Sequence, residues 1–384
     1  MYSRRSFLTR GLALGCSAAA SPLVTPVSLA SAPGDNRLVV IVLRGAMDGL
    51  DVVRPMGDRL LKSYRPSFDF SGSLPLTDFF GLHPELAPLT PLWKTGELSF
   101  AHAVSTPYRD KRSHFDGQDI LEAGSATEDF GADGWLNRVV SLLPEARTET
   151  AFAVGHETLR LLSGSAPVST WSPDSDLNLS PQAQLLLTKI YAQDPLFADA
   201  AQKAMELADL TDNPMSTRGA ARAEALAKFT ADRLREETRI AAFSINGWDT
   251  HANQARTLPN ALRELSTAIL TLKQDLGPVW SKTCVLCLTE FGRTARENGS
   301  KGTDHGTGGV AVFAGGALKG NGVLGRWPGL ASGDLYRDRD LMPTDDVRRY
   351  AAWALAGLFP VTQSALTSTI FPGLEMGENP GLLA

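Results

Sequence analysis

Six short apolar runs, each stopped abruptly by polar or glycine-rich chain, constrain this sequence more than any other feature. They are Leu38 to Leu43, Leu98 to Val104, Ala151 to Val154, Ile240 to Ile245, Thr283 to Leu288 and Val310 to Ala314. Each has strand length and is nearly continuous rather than alternating, which fits a sheet covered on both faces and mostly parallel. Helical patterns separate the runs: Pro84 to Lys94, His114 to Ala123, Gln182 to Gln193, Thr217 to Thr238, Asn260 to Leu276 and Asp345 to Leu358. This alternation predicts an α/β fold with helices on both faces of a central sheet. Residues 124–180 and 315–344 are richer in Gly, Pro, Ser and Asp and read as loops. No repeat, low-complexity tract or heptad pattern is present, and no composition break divides residues 33–384 into two domains.

The N-terminus is read separately. Ser3-Arg4-Arg5-Ser6-Phe7-Leu8 precedes an apolar stretch, Leu12 to Ala20, and Ala30-Ser31-Ala32 offers a small-residue cleavage site. Residues 1–32 are therefore expected to be a twin-arginine signal peptide, delivering a folded protein to the periplasm through the twin-arginine translocation machinery. The apolar stretch is too short to span a bilayer, and no later segment reads as a membrane span. Cys16 is a poor lipid-attachment site, given Ala13-Leu14-Gly15 before it. Export in the folded state directs attention to a metal or cofactor.

Removing the leader takes away three arginines and no acids, so the net charge moves from −5 to about −8. A mildly acidic chain lacks the basic face that nucleic-acid binding needs. The two remaining cysteines, Cys284 and Cys287, share one apolar run. Three positions apart on a strand, they face opposite ways, so a disulfide or redox pair is not expected.

Ligands of open α/β sheets gather beyond the carboxyl ends of the strands. There the sequence places Arg44-Gly45-Ala46-Met47-Asp48-Gly49, Asn246-Gly247-Trp248-Asp249-Thr250-His251 and Thr289-Glu290-Phe291-Gly292-Arg293-Thr294. A glycine-rich loop brings Asp304-His305-Gly306 to the start of another run, and Ser105, Thr106, Arg109, Arg112, Ser113 and His114 follow Val104. Carboxylates and imidazoles together suit a divalent cation, which can activate a hydroxyl, while arginines can hold phosphate or sulfate oxygens.

Each group also has a plainer reading. Asp48 before Gly49 is a natural turn residue. Asp249 and Thr250 can cap the next segment of chain, and His251 can be a satisfied, half-buried histidine. Glu290 follows a buried strand and needs some partner, for which Arg293 is available. Ser113 stands where a helix begins, so its default role is N-cap. His83 and His102 read as structural, and His156 is left unassigned.

The segments Arg44 to Leu50, Gly81 to Pro84, Ser113 to Asp119, Gly134 to Arg138, Gly247 to His251, Thr289 to Thr294 and Asp304 to Gly308 together resemble an exported bacterial family. It is known as domain-of-unknown-function family 1501, and the resemblance spans nearly the whole mature chain. That family is similar in turn to the alkaline phosphatase and sulfatase superfamily. The resemblance implies an alkaline-phosphatase-like fold. It also implies Asp48 as a metal ligand from the first strand, Asp249 with His251 as the next pair, Glu290 at a later acidic position and His305 as the last imidazole. Ser113 takes the nucleophile position. Phe291 stands where the superfamily usually has a histidine after the acid, which leaves a second metal without an imidazole. Ser105-Thr106-Pro107-Tyr108-Arg109 matches a short sulfatase pattern in which the serine becomes formylglycine, a second option for the nucleophile.

The expected activity is hydrolysis of a phosphate or sulfate ester in the periplasm with a divalent ion, Zn²⁺, Mn²⁺, Mg²⁺ or Ca²⁺. In that expectation Ser113 attacks and Arg109 or Arg293 steadies anionic oxygens. The alternative is a non-catalytic envelope protein that binds an anionic glycan or a partner protein. A metal with a purely structural role is a third reading.

Overall fold

In the first strand, β1 (Arg37–Leu43), every residue is buried, and its side chains divide between two cores. Val39, Ile41 and Leu43 point into one apolar cluster, and Leu38, Val40 and Val42 into another. Full burial of such a side chain is worth roughly 1.5–3 kcal/mol, so a strand buried on both sides anchors both layers at once. The computed structural model describes residues 35–125, 131, 133–155, 157, 159–172 and 218–384. The expected leader (1–32), His156 and the helix expected over Gln182–Gln193 lie outside the described residues.

The other strands of the central sheet are β2 (Leu98–Ser105), β3 (Ala151–Val154), β4 (Ser169–Trp171), β5 (Ile240–Ile245), β6 (Thr283–Leu288), β7 (Gly309–Ala314), β8 (Val323–Leu324) and β9 (Asp345–Asp346). The sheet order is β8–β2–β7–β6–β1–β5–β3–β4, with β9 also paired to β2. Parallel pairing joins β6, β1, β5, β3 and β4. The exception is β7, which runs antiparallel to both β6 and β2. The chain is thus α/β with a mostly parallel central sheet, and Asn36–Ala384 forms one compact unit.

Helices α3 (Ala220–Leu234) and α4 (Gln254–Leu276) cover one face, while α2 (Trp135–Leu142) and α5 (Val347–Leu358) cover the other. Helix α1 (His114–Ala123) begins at the rim. The six strands expected from the apolar runs are present, but two helices differ for the same reason. Pro84–Lys94 breaks into a 3-10 turn, Pro84–Leu89, and a short helix, Thr90–Lys94, because Pro88 and Pro91 cannot donate N–H bonds. α4 starts at Gln254 instead of Asn260 and carries Pro259 inside it. No described helix is long and apolar enough to cross a membrane.

The reversal of β7 is the antiparallel exception in a mostly parallel sheet, and it has a consequence. The entrance of β7 lies at the same rim as the exits of β1, β2, β5 and β6, so the loop ending at Gly309 reaches that rim too.

Cys284 and Cys287 are free, fully buried and packed into opposite cores. Burial pushes the Cys284 thiol up to about 12 and the Cys287 thiol higher still. Both are expected to resist a thiol reagent such as DTNB in the native protein and to react only after denaturation; rapid native labelling of either would contradict this packing.

Candidate metal centre

Four side chains from two loops and one helix start meet at the rim. Asp249 and His251 follow β5, His305 precedes β7, and His114 is the first residue of α1. Asp249 Oδ1 lies 3.1 Å from His251 Nε2, 3.2 Å from His305 Nε2 and 3.4 Å from His114 Nε2. The His251 and His305 Nε2 atoms are 2.8 Å apart. Donor atoms of His114, Asp249 and His305 all lie within 4.8 Å of one another.

Local backbone makes this convergence. Gly45 sits at φ +117°, and a Cβ there would meet Asp249 N at 2.6 Å, so only glycine lets the loop after β1 lie against the loop after β5. A Cβ on Gly306 would strike the Arg293 carbonyl carbon at 2.3 Å. There the chain forms an isolated antiparallel bridge between Arg293 and His305. Ser113 caps α1, its Oγ accepting from Asp116 N–H at 3.4 Å, and so places His114 at the helix start.

The other nitrogen of each imidazole is engaged. His114 Nδ1 faces Glu290 Oε1 at 2.8 Å, His251 Nδ1 faces Asp304 Oδ1 at 3.1 Å, and His305 Nδ1 faces the Arg112 carbonyl at 2.8 Å. A carbonyl or carboxylate only accepts, so these partners assign the proton to Nδ1 and leave the Nε2 lone pairs aimed at one another and at Asp249. Lone pairs and an anion gathered this closely repel unless a proton or cation lies between them. His114 Nε2 is buried with no hydrogen-bond partner; its ion-pair distance to Asp249 lacks hydrogen-bond geometry. The donor set therefore fits a divalent cation.

The electrostatics separate the groups. For Asp249, burial raises the pKa, but the hydrogen bond and charge of Arg293, with help from His305 and His251, outweigh it and bring it to about 2. The bond to Glu290 lifts His114 above the ordinary histidine value, against burial. Burial, then the charges of His114 and Arg293, lowers His305. Asp304 is held low, chiefly by the hydrogen bond from Asn298.

Of the residues singled out from sequence, Asp249, His251 and His305 meet here. The others stand elsewhere. Asp48 is buried, its two oxygens paired with Arg65 at 2.6 and 3.0 Å, and it also accepts from Gln254 at 2.5 Å and from Leu50 N–H. Glu290 lies behind His114. Arg293 spends its N–H groups on the carbonyls of Gly45, Ala46, Trp248 and Thr303 and on Asp249. Arg109 folds back onto Ser105 Oγ and the carbonyls of Thr106 and Tyr108. Ser105 is buried and donates to the Thr106 carbonyl. His83 and His102 are buried, and both act on neighbouring backbone. The residue that sequence reasoning undervalued is His114. Its signal was present: an imidazole directly after an N-cap, at a strand-end loop.

The Asp48–Arg65 pair gives a direct expectation. Arg65 is fully buried, so Arg65→Leu strands the Asp48 carboxylate and should cost about 3–5 kcal/mol in urea unfolding; a change within error of zero would contradict the pairing.

A family model described as "Protein of unknown function (DUF1501)" matches residues 99–370. Among curated proteins, none matches the chain. Among solved structures, the alkaline phosphatase from the Antarctic bacterium TAB5 is similar at 11% identity and a TM-score of 0.37, covering 76% of this chain and 94% of that one. Lipooligosaccharide phosphoethanolamine transferase A from Neisseria meningitidis is similar at 10% identity and 0.37, covering 93% and 62%. A protein of the alkaline phosphatase superfamily from Vibrio parahaemolyticus gives 14% and 0.34, covering 74% and 62%. Scores of this size leave the chemistry to be read from the site itself.

Proposed function

The chain belongs to the DUF1501 family, and we propose that it is a divalent-metal-dependent hydrolase of a phosphate or sulfate ester, working where His114, His251, His305 and Asp249 meet. One observation carries this reading: three imidazoles, each tied through Nδ1, turn Nε2 toward a single ionised carboxylate oxygen. Three nitrogens and one oxygen favour Zn²⁺, Mn²⁺ or a similar transition ion over Mg²⁺ and Ca²⁺, which prefer oxygen alone. When bound, such an ion supplies charge neutralisation for an anionic ester and lowers the pKa of a nearby hydroxyl or water.

The chain's own residues divide the remaining work. Arg293 keeps Asp249 ionised. Asp249 and His251, about half exposed, leave the site open to a substrate from solvent. Ser113, one residue before His114, is the attacking hydroxyl: its Oγ bonds to phosphorus or sulfur as the ester oxygen leaves with the proton, and water then cleaves the serine ester. Arg109 and Arg293 are committed to carbonyls, and Arg339 to the His305 carbonyl and Asp340. Among the described residues, the Arg112 side chain meets Asp340 at a long 3.5 Å, and its carbonyl faces His305. We assign the anionic oxygens of the substrate to Arg112. The Arg4-Arg5 leader supports export to the periplasm by the twin-arginine route, with folding and loading of the ion before transport.

The purified protein is expected to hold close to one transition ion and to turn over aryl phosphate or aryl sulfate esters. Absence of both retained metal and turnover, after loading with Zn²⁺, Mn²⁺, Mg²⁺ or Ca²⁺ in turn, sinks the proposal. Ser113→Ala should abolish turnover while the ion is retained. Arg112→Met should raise KM about tenfold, the loss of one charge-assisted contact. Bound metal without turnover on any ester would turn the reading toward a structural or ligand-binding site.

A further inference from the structure

We infer that Glu290 is a positioning residue: it fixes the tautomer and aim of His114 from behind and thereby sets how tightly the cation site holds its ion. The inference rests on the cation reading above but gives Glu290 a role of its own.

Glu290 is completely buried at the exit of β6. Its Oε1 accepts from Gly45 N–H at 2.9 Å and Gln118 Nε2 at 3.2 Å and faces His114 Nδ1 at 2.8 Å. Its Oε2 faces Thr289 Oγ1 at 2.9 Å. Both oxygens are filled by the chain's own donors, so neither is turned toward Asp249. The His114 ring also lies on Phe291, with centroids 5.2 Å apart and planes at 19°, and it meets His305 edge-on at 4.2 Å. With Nδ1 tied and one face covered, the ring has one way to point. That way leaves Nε2 buried and unpartnered beside Asp249.

The three Nδ1 acceptors are not equivalent. The Arg112 carbonyl behind His305 is neutral, and Asp304 behind His251 is about half exposed, its charge damped by solvent. Glu290 alone among them is an anion sealed from water. A buried carboxylate behind an imidazole both orients the ring and raises its basicity as a ligand, and removal of such a partner typically weakens metal binding about 10- to 100-fold.

Two substitutions separate charge from orientation. Thr289 Oγ1 has one proton and two acceptors, Glu290 Oε2 and the Leu43 carbonyl. In Glu290→Gln the new amide can donate to Thr289 Oγ1, whose proton then goes to Leu43, and an oxygen still faces His114. In Glu290→Met both the charge and the acceptor are gone.

The experiment measures Zn²⁺ affinity by competition with a chromophoric chelator, on the mature protein and both variants. Imidazole ¹⁵N NMR of the metal-free protein at alkaline pH, where His114 is neutral, reports which nitrogen carries its proton. The expected results are a single Nδ1–H tautomer in the parent, and binding weakened about tenfold in Glu290→Gln and about a hundredfold in Glu290→Met. The Met variant should also lose the single tautomer. A parent with the proton on Nε2, or variants that bind Zn²⁺ as tightly as the parent, overturns the assignment. Should Glu290→Met fail to fold, the parent tautomer and the Gln variant decide alone. A parent that binds no ion sinks the proposed function, while the tautomer of His114 still tests the positioning role.

Discussion

One buried guanidinium holds this rim together. Arg293 is 1% exposed, and it donates to the carbonyls of Gly45 and Ala46 after β1, of Trp248 after β5 and of Thr303 before β7, besides the Asp249 carboxylate. It stands in the same β6–β7 connection as Thr303, so one side chain ties three loops. Removing a cation from water costs several kcal/mol, and only near-complete satisfaction of its donors offsets that. Lysine carries a single point of donation and cannot span these partners with a planar fork. The positions of Asp249 and, through the adjoining bridge, His305 follow from this one residue.

The same charge organises the chemistry. Arg293 keeps Asp249 ionised at half exposure, and the ionised oxygen is the point around which three Nε2 atoms collect. The imidazoles then diverge in character although they lie within van der Waals reach. Glu290 makes His114 the more basic, while burial and the neighbouring positive charges make His305 the less basic. A cluster built from identical residue types thus presents different ligands. The difference comes from each ring's surroundings, the Glu290 carboxylate behind His114 and the burial and positive neighbours of His305, rather than from the ring itself.

Much of this was legible in the sequence, and the rest was hidden for definite reasons. The strands could be read because burial on both faces demands unbroken apolar runs; the first six residues of α4 were missed, lying before Asn260 with Pro259 among them. Asp249, His251 and His305 were legible because they stand directly beside strand ends. Glu290 was legible as a residue that must have a partner. Which partner was not, since Arg293 is three residues away in sequence yet bonds to Asp249, and His114 is 176 residues away. Asp48 shows the same limit. Its place after β1 is that of a ligand in the resembling superfamily, but its neighbour in space is Arg65, on a stretch with no periodic pattern.

The Asp48–Arg65 pair and the reversed strand β7 shape the rim in opposite ways. Both Asp48 oxygens are taken by a fully buried guanidinium, so a cation placed there would meet a fixed positive charge in a medium that screens poorly. The Asp48 carboxylate is spent on the core. By contrast, β7 enters at the rim, and its approach loop is pressed so close at Gly306 that no side chain fits. Opposite it, Arg112 holds φ at +55°, a left-handed conformation costing about 1 kcal/mol for a residue other than glycine, with its carbonyl on His305. Backbone strain of this kind persists only where surrounding contacts impose it. Here it fixes the third imidazole of the cluster.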